Sequence, residues 1–349
     1  MEKYEMIRVI GEGSFGKVYL MRHKQMRKLM CVKVIKVRNI PRKEREACKA
    51  EVELLKRLKH PNIVSYHDSF LTKSRESLCI VMEYADGGDL SARISKAKGR
   101  IIPETQVLHW FVQMCLGLHY MHEKRVLHRD LKTQNIFLLG NGRLVLGDLG
   151  ISKVLDGTMD FAQTCIGTPY YMSPEIFKNK PYNHKSDIWA LGCVLYEMAT
   201  LKHAFNANSL NGLAVKIIKG RYMPIPAKYS QHLKNLVNQM LDINPLRRPD
   251  LEAILKLPFV KKHVTNFLSD IVQRPQGGIG EGTMVVRAAA VNLVADARGA
   301  RTPYAQAGVK HADIAALTKQ LAGLQMQNLV SKALAPPPEA DGGGGGGGG

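Results

Sequence analysis

Short apolar runs with strand-like alternation open the chain. YEMIRVI, GKVYLMR and MCVKVIKV are rich in β-branched residues and are separated by glycine or charged turns, the pattern of consecutive strands. A helix follows over about 43–59, where Leu54, Leu55 and Leu58 share one face before Pro61 and Asn62 end it. IVSYHDSF and LCIVMEY read as two more strands. After ADGGDL the period turns helical, first in DLSARISKAK and then in PETQVLHWFVQMCLGLHYMHEK, whose Pro103 suits a first helical turn. NIFLL and RLVLGD read as short strands, and past Pro174 the chain is mostly helical to about residue 270. The pattern predicts an α+β molecule: a small β-rich lobe with one main helix, then a larger, mostly helical lobe.

From about Gln273 the texture changes. PQGGIGEGTM has the composition of a linker, and VVRAAAVNLVADARGARTPYAQAG is Ala-rich and ambiguous. The closing PPPEADGGGGGGGG is low in complexity and predicted to be disordered. Between them, HADIAALTKQLAGLQMQNLVSKALA places Ile314, Leu317, Leu321 and Leu324 at coiled-coil-like spacing for about two heptads. This stretch reads either as one helix over 311–335 that docks on a partner or dimerises, or as a marginal helix in a flexible tail. The expected organisation is a folded unit over 1–260 and a tail over 261–349 that is mostly linker.

Composition narrows the classes. At 349 residues and 45% apolar, the chain can bury a core, yet no run approaches the ~18 apolar residues of a membrane span. MEKYEMIRVIGEG lacks the basic start and apolar block of a secretory signal. The six cysteines are scattered with no C-x-x-C pair, which fits reduced thiols of the cytosol or nucleus better than a disulfide framework or a zinc site. The net charge is +20, close to half of it in the first 70 residues and densest in RNIPRKEREACK. Such basicity admits nucleic acid, anionic membrane, or phosphorylated and acidic partners. The plainer reading of that run is a solvated helix face. No basic stretch alternates with aromatics, which argues against nucleic acid.

The chemistry begins at GEGSFGKV, where Gly11, Gly13 and Gly16 form G-x-G-x-x-G. Alone this is weak. A dinucleotide fold needs a helix after the third glycine and an acidic residue about 20 positions later; here a strand follows. A glycine loop between two strands lies as a flap over phosphates, which favours a nucleoside triphosphate. Lys33 in CVKVIK would supply a cation. Val32 and Val34 flank it, so Lys33 and Cys31 share a face, inward-pointing given the loop upstream. An inward ammonium wants a carboxylate. Glu51 shares the stripe of Leu54, Leu55 and Leu58, whereas Glu53 and Arg57 make an exposed i,i+4 pair. LHRDLKTQNIFL then puts Asp130, Lys132 and Asn135 on one loop. Asp130 could accept a hydroxyl proton, Lys132 could sit against a transferring phosphoryl group, and Asn135 has an amide oxygen suited to Mg²⁺. Asp148, across a short hairpin in LVLGDLGISK, supplies a second oxygen ligand.

Together and in this order, these motifs resemble those of eukaryotic protein kinases over about residues 4–260. The resemblance implies a bilobal kinase fold with an N-lobe over about 1–82, a hinge at 83–86 and a C-lobe over 87–260. Lys132, two residues after Asp130, resembles the serine/threonine class. HPNIVSYHDSF, VMEYADGGDL, GTPYYMSPE, KSDIWALGCVLYEMATLKHAF and NPLRRPD together resemble the NIMA-related kinases. That resemblance implies transfer of the ATP γ-phosphate to Ser and Thr hydroxyls of proteins, with Mg²⁺ or Mn²⁺. ATP would lie under Ile10, Gly11, Glu12, Gly13, Ser14, Phe15, Gly16, Lys17 and Val18. Met82 would back the adenine pocket, Glu83 and Ala85 would offer backbone hydrogen bonds, and Val18, Cys31 and Phe137 would sandwich the ring. Lys33, fixed by Glu51, would hold the α- and β-phosphates, and Asn135 and Asp148 the metal. Glu175 would pair with Arg248, Asp187 would brace the catalytic loop, and Thr168 would touch Asp130 and Lys132. Thr164 would carry an activating phosphate close to Arg129. Leu149 departs from the usual phenylalanine; packed between His128 and Leu55, it would act as a tunable switch. Family members often act at microtubules, centrosomes or cilia, so the implied location is the cytoplasm, the cytoskeleton or the nucleus. The competing readings are a kinase-fold scaffold without catalysis and a basic interaction module. Lys33, Asp130 and Asp148 are all present, which favours an enzyme.

Overall fold

Five antiparallel strands form the first sheet, in the order β1-β2-β3-β5-β4: β1 (Tyr4–Gly13), β2 (Gly16–His23), β3 (Leu29–Lys36), β4 (Tyr66–Leu71) and β5 (Ser77–Glu83). The computed structural model describes residues 2–13, 16–38, 42–72, 74, 76–148, 169–273, 281–297 and 311–334. β3 is the central strand, and its alternation serves two faces. Met30 and Val32 turn into a small cluster with Met21, Cys79 and Val81. Cys31, Lys33 and Ile35 turn the other way, where Ile35 joins the main core with Cys48, Val52 and Leu55 of α1 (Arg42–Arg57). The buried stripe of α1 differs from the predicted one. Leu55 and Leu58 are buried but Leu54 is exposed, because the face turned to the sheet runs Cys48, Val52, Leu55, at i, i+4 and i+7.

The second lobe opens with α2 (Leu90–Ser95), whose N-terminus is capped by the Asp89 carboxylate accepting from the Ala92 N–H at 2.7 Å. α3 (Glu104–Glu123) is buried along most of its length. A 3₁₀ turn (Thr133–Asn135) leads into the hairpin of β6 (Ile136–Leu138) and β7 (Leu144–Leu146). Then come α4 (Pro174–Phe177), α5 (His184–Thr200), α6 (Leu210–Lys219), α7 (Gln231–Met240), α8 (Leu251–Lys256) and α9 (Pro258–Gln273). α5 starts at a capping box built by Asn183 and Ser186. It is buried nearly all round, with Trp189 stacked on Phe205 at 5.2 Å.

Three more helices correct the expectation of a tail that is mostly linker: α10 (Glu281–Ala297), α11 (His311–Gly323) and α12 (Gln327–Ala333). α10 packs on α9, α11 and α12, and Val286, Ala288, Ala289, Ala290 and Leu293 are buried in the same core as the second lobe. A helix apolar on nearly every side has no amphipathic period, which is why VVRAAAVNLV gives no readable signal. Ile314, Leu317, Leu321 and Leu324 also enter that core, so the coiled-coil-like seam is used within the chain. The predicted single helix over 311–335 is two, divided at Gln325, which is left-handed at φ 56°. Residues 335–349 and Cys165 lie outside the described residues. No helix among the described residues is long and apolar enough to cross a membrane.

Candidate active site

Two left-handed residues that are not glycine mark the site: Arg129 at φ 65° and Asp148 at φ 48°. Such conformations cost of order 1–3 kcal/mol and persist where the surroundings impose them. At Arg129 the imposing group is Asp187, in the first turn of α5 and fully buried. Its carboxylate accepts from the backbone N–H of His128 at 3.0 Å and of Arg129 at 3.2 Å. It also accepts from His122 Nε2 at 2.8 Å and from the Tyr182 hydroxyl at 2.5 Å. Burial works to raise the Asp187 pKa, but the donors, led by His122, outweigh it and hold the carboxyl below its ordinary range. Burial likewise pushes the His128 imidazole below its usual value, so this ring is neutral.

The loop so held carries the candidate residues Asp130, Lys132 and Asn135. Lys132 Nζ lies 2.9 Å from Asp130 Oδ2. Asn135 Nδ2 donates to the same Oδ2 and to the Asp130 carbonyl, each at 2.8 Å. The Asn135 carbonyl accepts from Gly147 N–H at 2.9 Å, which ties the end of β7 to the loop just before Asp148. A Cβ on Gly147 would come 2.7 Å from the Phe137 ring, so glycine is what lets the two meet. Asp148 forms an ion pair with Lys33. The Glu51 side chain lies outside the described residues, so the partner seen for Lys33 is Asp148.

Above this pair the sheet register builds a wall. Val18 faces Lys33 across β2–β3, and Cys31 faces Met82 across β3–β5. Burial pushes the Cys31 thiol up to about 11, against the lowering effect of Lys33, so Cys31 is a wall residue and not a nucleophile. Ile10, Gly11, Glu12 and Gly13 end β1, while Gly16, Lys17 and Val18 begin β2. Glu12 and Lys17 pair at 3.3 Å. A Cβ on Gly16 would overlap the Val34 carbonyl, and its φ is 153°, so that position requires glycine. Ser14 and Phe15, like Leu149, Thr164 and Thr168, lie outside the described residues. Glu83 ends β5 with its N–H given to the Ser65 carbonyl at 2.9 Å, and Ala85 follows two residues later.

Farther down, Glu175 and Arg248 meet through two parallel bonds of 2.8 Å, with Arg248 also 4.8 Å over the Trp189 ring. Ser186 donates to Glu175 at 2.8 Å. Burial opposes ionisation of Glu175, yet Arg248 keeps its pKa below the ordinary value. Beside the loop of Asp130 lies a cleft of about 630 Å³ lined by Ile94, Ile101, Gln134, Glu197, Leu201 and His203, among others.

Sequence reasoning passed over His122, Tyr182, Gly147 and Arg143. Arg143 sits in NGRL, the context of a surface turn, yet it is buried and paired with Glu83 at the end of β5. Its partner stands 60 residues away, so no local pattern discloses it. Gly147 was legible in principle, since glycine directly before a candidate metal-binding carboxylate marks a close approach.

Among the described residues, no cluster of three or more His, Cys, Asp or Glu side chains could hold a metal alone. Asn135 and Asp148 offer two oxygens. That suits a hard cation whose other ligands are phosphate oxygens and water.

Comparison with known proteins gives the family. The family model described as the protein kinase domain matches residues 4–260. Serine/threonine-protein kinase Nek5 of Homo sapiens is 49% identical over 275 residues, 78% of this chain and 39% of the relative. Nek4 and Nek1 of Mus musculus are each 50% identical, over 76% and 77% of this chain but 33% and 22% of their own lengths. The chain thus spans well under half the length of these relatives. By the domain match and these identities, the chain belongs to the protein kinase family, and its kinase domain is of the serine/threonine, NIMA-related (Nek) type.

Proposed function

We propose that this chain transfers the γ-phosphoryl group of ATP to Ser and Thr hydroxyls of protein substrates. The observation that carries this is the meeting of Asp130, Lys132 and Asn135, on a loop fixed by Asp187, with the Lys33–Asp148 pair. Asp130 accepts the substrate hydroxyl proton. Lys132 stabilises charge on the γ-phosphoryl group, and Lys33 holds the α- and β-phosphates. The transition state of phosphoryl transfer is loose, so the protein's work is placement and neutralisation. Asn135 Nδ2 is committed to Asp130, so its amide presents Oδ1, and that oxygen with Asp148 would hold Mg²⁺ or Mn²⁺. Bound there, the ion would neutralise phosphate charge. The adenine would lie among Val18, Cys31, Met82 and Phe137, with backbone hydrogen bonds to Glu83 and Ala85. The Glu83 N–H is already taken by Ser65, so its carbonyl is the group on offer.

The kinase unit spans 1–260, with Glu175–Arg248 as its buried brace. Thr164 is the activating phosphosite, its phosphate answering to Arg129 beside the catalytic loop. Ile94, Ile101 and Leu201 in the cleft next to Gln134 favour substrates with a bulky apolar residue close to the target. The chain works in the cytoplasm, at the cytoskeleton or in the nucleus. Purified chain and radiolabelled ATP with casein test the reading. Transfer to Ser and Thr that is lost in Asp148→Ala supports it. No transfer by the phosphorylated parent chain returns the scaffold reading, and transfer surviving in Asp148→Ala exposes a contaminating kinase.

A further inference from the structure

Among the described residues, two of the polar points at which the tail helices meet the kinase unit lead back toward the nucleotide site. The first is Gln320 on α11, buried although polar. Its Oε1 lies 3.1 Å from His60 Nε2, and its Nε2 lies 2.9 Å from the Leu116 carbonyl and 3.0 Å from His119 Nδ1. His60 Nδ1 accepts from Asn62 N–H at 3.0 Å, so the ring proton sits on Nε2 and is given to Gln320. Burial pushes the His60 pKa down to about 3, a shift only partly countered by Gln320, so the ring stays neutral. From here the network runs inward. The Asn62 side chain bonds Gln113 at 3.1 Å and the Leu144 carbonyl at 2.8 Å. The Asn62 carbonyl accepts from Leu146 N–H at 2.9 Å, and Val64 N–H gives to the Leu146 carbonyl at 2.8 Å. Leu146 is two residues from Asp148.

The second point is Arg143. Its guanidinium pairs with Glu83 at the end of β5 and donates to the Pro61 carbonyl at 2.8 Å. The first turn of α10 lies directly on it. A Cβ on Gly282 would overlap that guanidinium, and Thr283 Oγ1 accepts from Asn141 in the same hairpin at 2.9 Å. One tail helix therefore covers the group that holds the hinge, and another holds the loop that carries the metal-ligand strand.

We propose that α10–α12 form an internal clamp, in which Gln320 and the Gly282–Arg143 contact are positioning points that keep the hinge and the Asp148 strand in the nucleotide-competent arrangement. The docked tail is the supporting state, and its release weakens ATP binding more than it slows transfer. The ATP arm of the test rests on the function proposed above; the exchange arm does not.

Gln320→Met keeps the volume and the helix but removes all three bonds. Gly282→Val pushes on Arg143. Lys319→Ala, exposed on the same helix, is the control. Each is made in the full chain. The first two raise KM for ATP about five-fold or more, with a smaller change in kcat, and Lys319→Ala does not. In hydrogen exchange without nucleotide, both accelerate peptides covering 60–64 and 144–147 relative to α5. Exchange that is unchanged there, or that rises equally in α5, overturns the proposal whatever the activity shows. Faster local exchange with an unchanged KM overturns the link to the nucleotide. A protease site placed in 274–280 gives a second check. After cleavage, the fragment carrying α10–α12 stays with the kinase unit in size-exclusion chromatography, and its separation would show that the contacts do not hold.

Discussion

Replacing Asp187 by asparagine asks how the catalytic loop is held. Oδ1 accepts from Arg129 N–H and the Tyr182 hydroxyl, and Oδ2 from His128 N–H and His122 Nε2. An asparagine must turn its NH₂ toward one of these pairs. Tyr182 can rotate and accept, and His122 can change tautomer, but a backbone N–H only donates. Whichever way the amide turns, one buried backbone N–H loses its acceptor, at a cost of about 1–3 kcal/mol. The surviving bonds lose the assistance of the charge. The total comes to about 2–4 kcal/mol, which lowers Tm by roughly 4–16 °C at this size. The left-handed Arg129 is then no longer imposed, and Asp130 loses its aim. kcat falls at least about ten-fold, while KM for ATP stays put, because Lys33 and the hinge take no part in this network. Thermal unfolding and initial rates on purified protein measure both. A Tm within about 1 °C of the parent together with unchanged kcat would refute the reasoning. The pH dependence has a fixed sign. The Asp187 pKa is depressed below 3.8 in the fold, so its contribution to stability is present above that value and is lost as pH falls through the folded one. Asp187→Asn removes this part of the acid limb.

Gly147→Ala puts a methyl 2.7 Å from the Phe137 ring; overpacking of about 1–3 kcal/mol displaces the ring or Asp148, and KM for ATP rises in steady-state kinetics. Arg248→Leu leaves Glu175 buried without its pair and costs about 3–5 kcal/mol in thermal or urea unfolding, whereas adding Glu175→Leu recovers part of the loss. Thr164→Ala lowers turnover strongly in the casein assay; equal turnover removes Thr164 as the phosphosite. A chain ended at residue 260 is insoluble or aggregates when expressed beside the full chain, and a folded, monomeric product would count against the continuity of the core.

Most of the site was legible because its chemistry is local. Asp130, Lys132 and Asn135 stand within six positions, and a loop that short brings them together whatever surrounds it. Strand alternation put Lys33 on the face of Cys31 and the glycine loop upstream argued that this face turns inward; the structure adds Ile35 on the same face, in the core. What stayed hidden depends on distance. Arg143 is buried by Glu83 and Pro61, His122 is read through Asp187, and Gln320 looks like one more polar residue in a marginal helix until His60, Leu116 and His119 surround it. A buried polar group reveals itself only through its partner, and those partners come from remote parts of the chain.

The end of the kinase match is a boundary of motif, not of folding. Residue 260 falls within α9 (Pro258–Gln273), which packs on α3, with Phe267 edge-on to His109 at 5.5 Å. Val264, Phe267, Leu268 and Ile271 are all buried, and at roughly 1.5–3 kcal/mol each they account for about 6–12 kcal/mol of gross burial. That is comparable to the whole net stability of a typical domain, about 5–15 kcal/mol. α10 then covers α9, and α11 and α12 cover α10. Each layer exposes an apolar face unless the next is in place, so the core does not close at the last recognisable motif. The alanines of α10 carry this further. Small side chains let helices approach closely and give no clear amphipathic signal, so the same feature that makes VVRAAAVNLV ambiguous in the sequence is what allows it to sit inside. The second lobe and the tail helices are therefore parts of one packed body, and the proposed link from Gln320 to Asp148 depends on that continuity.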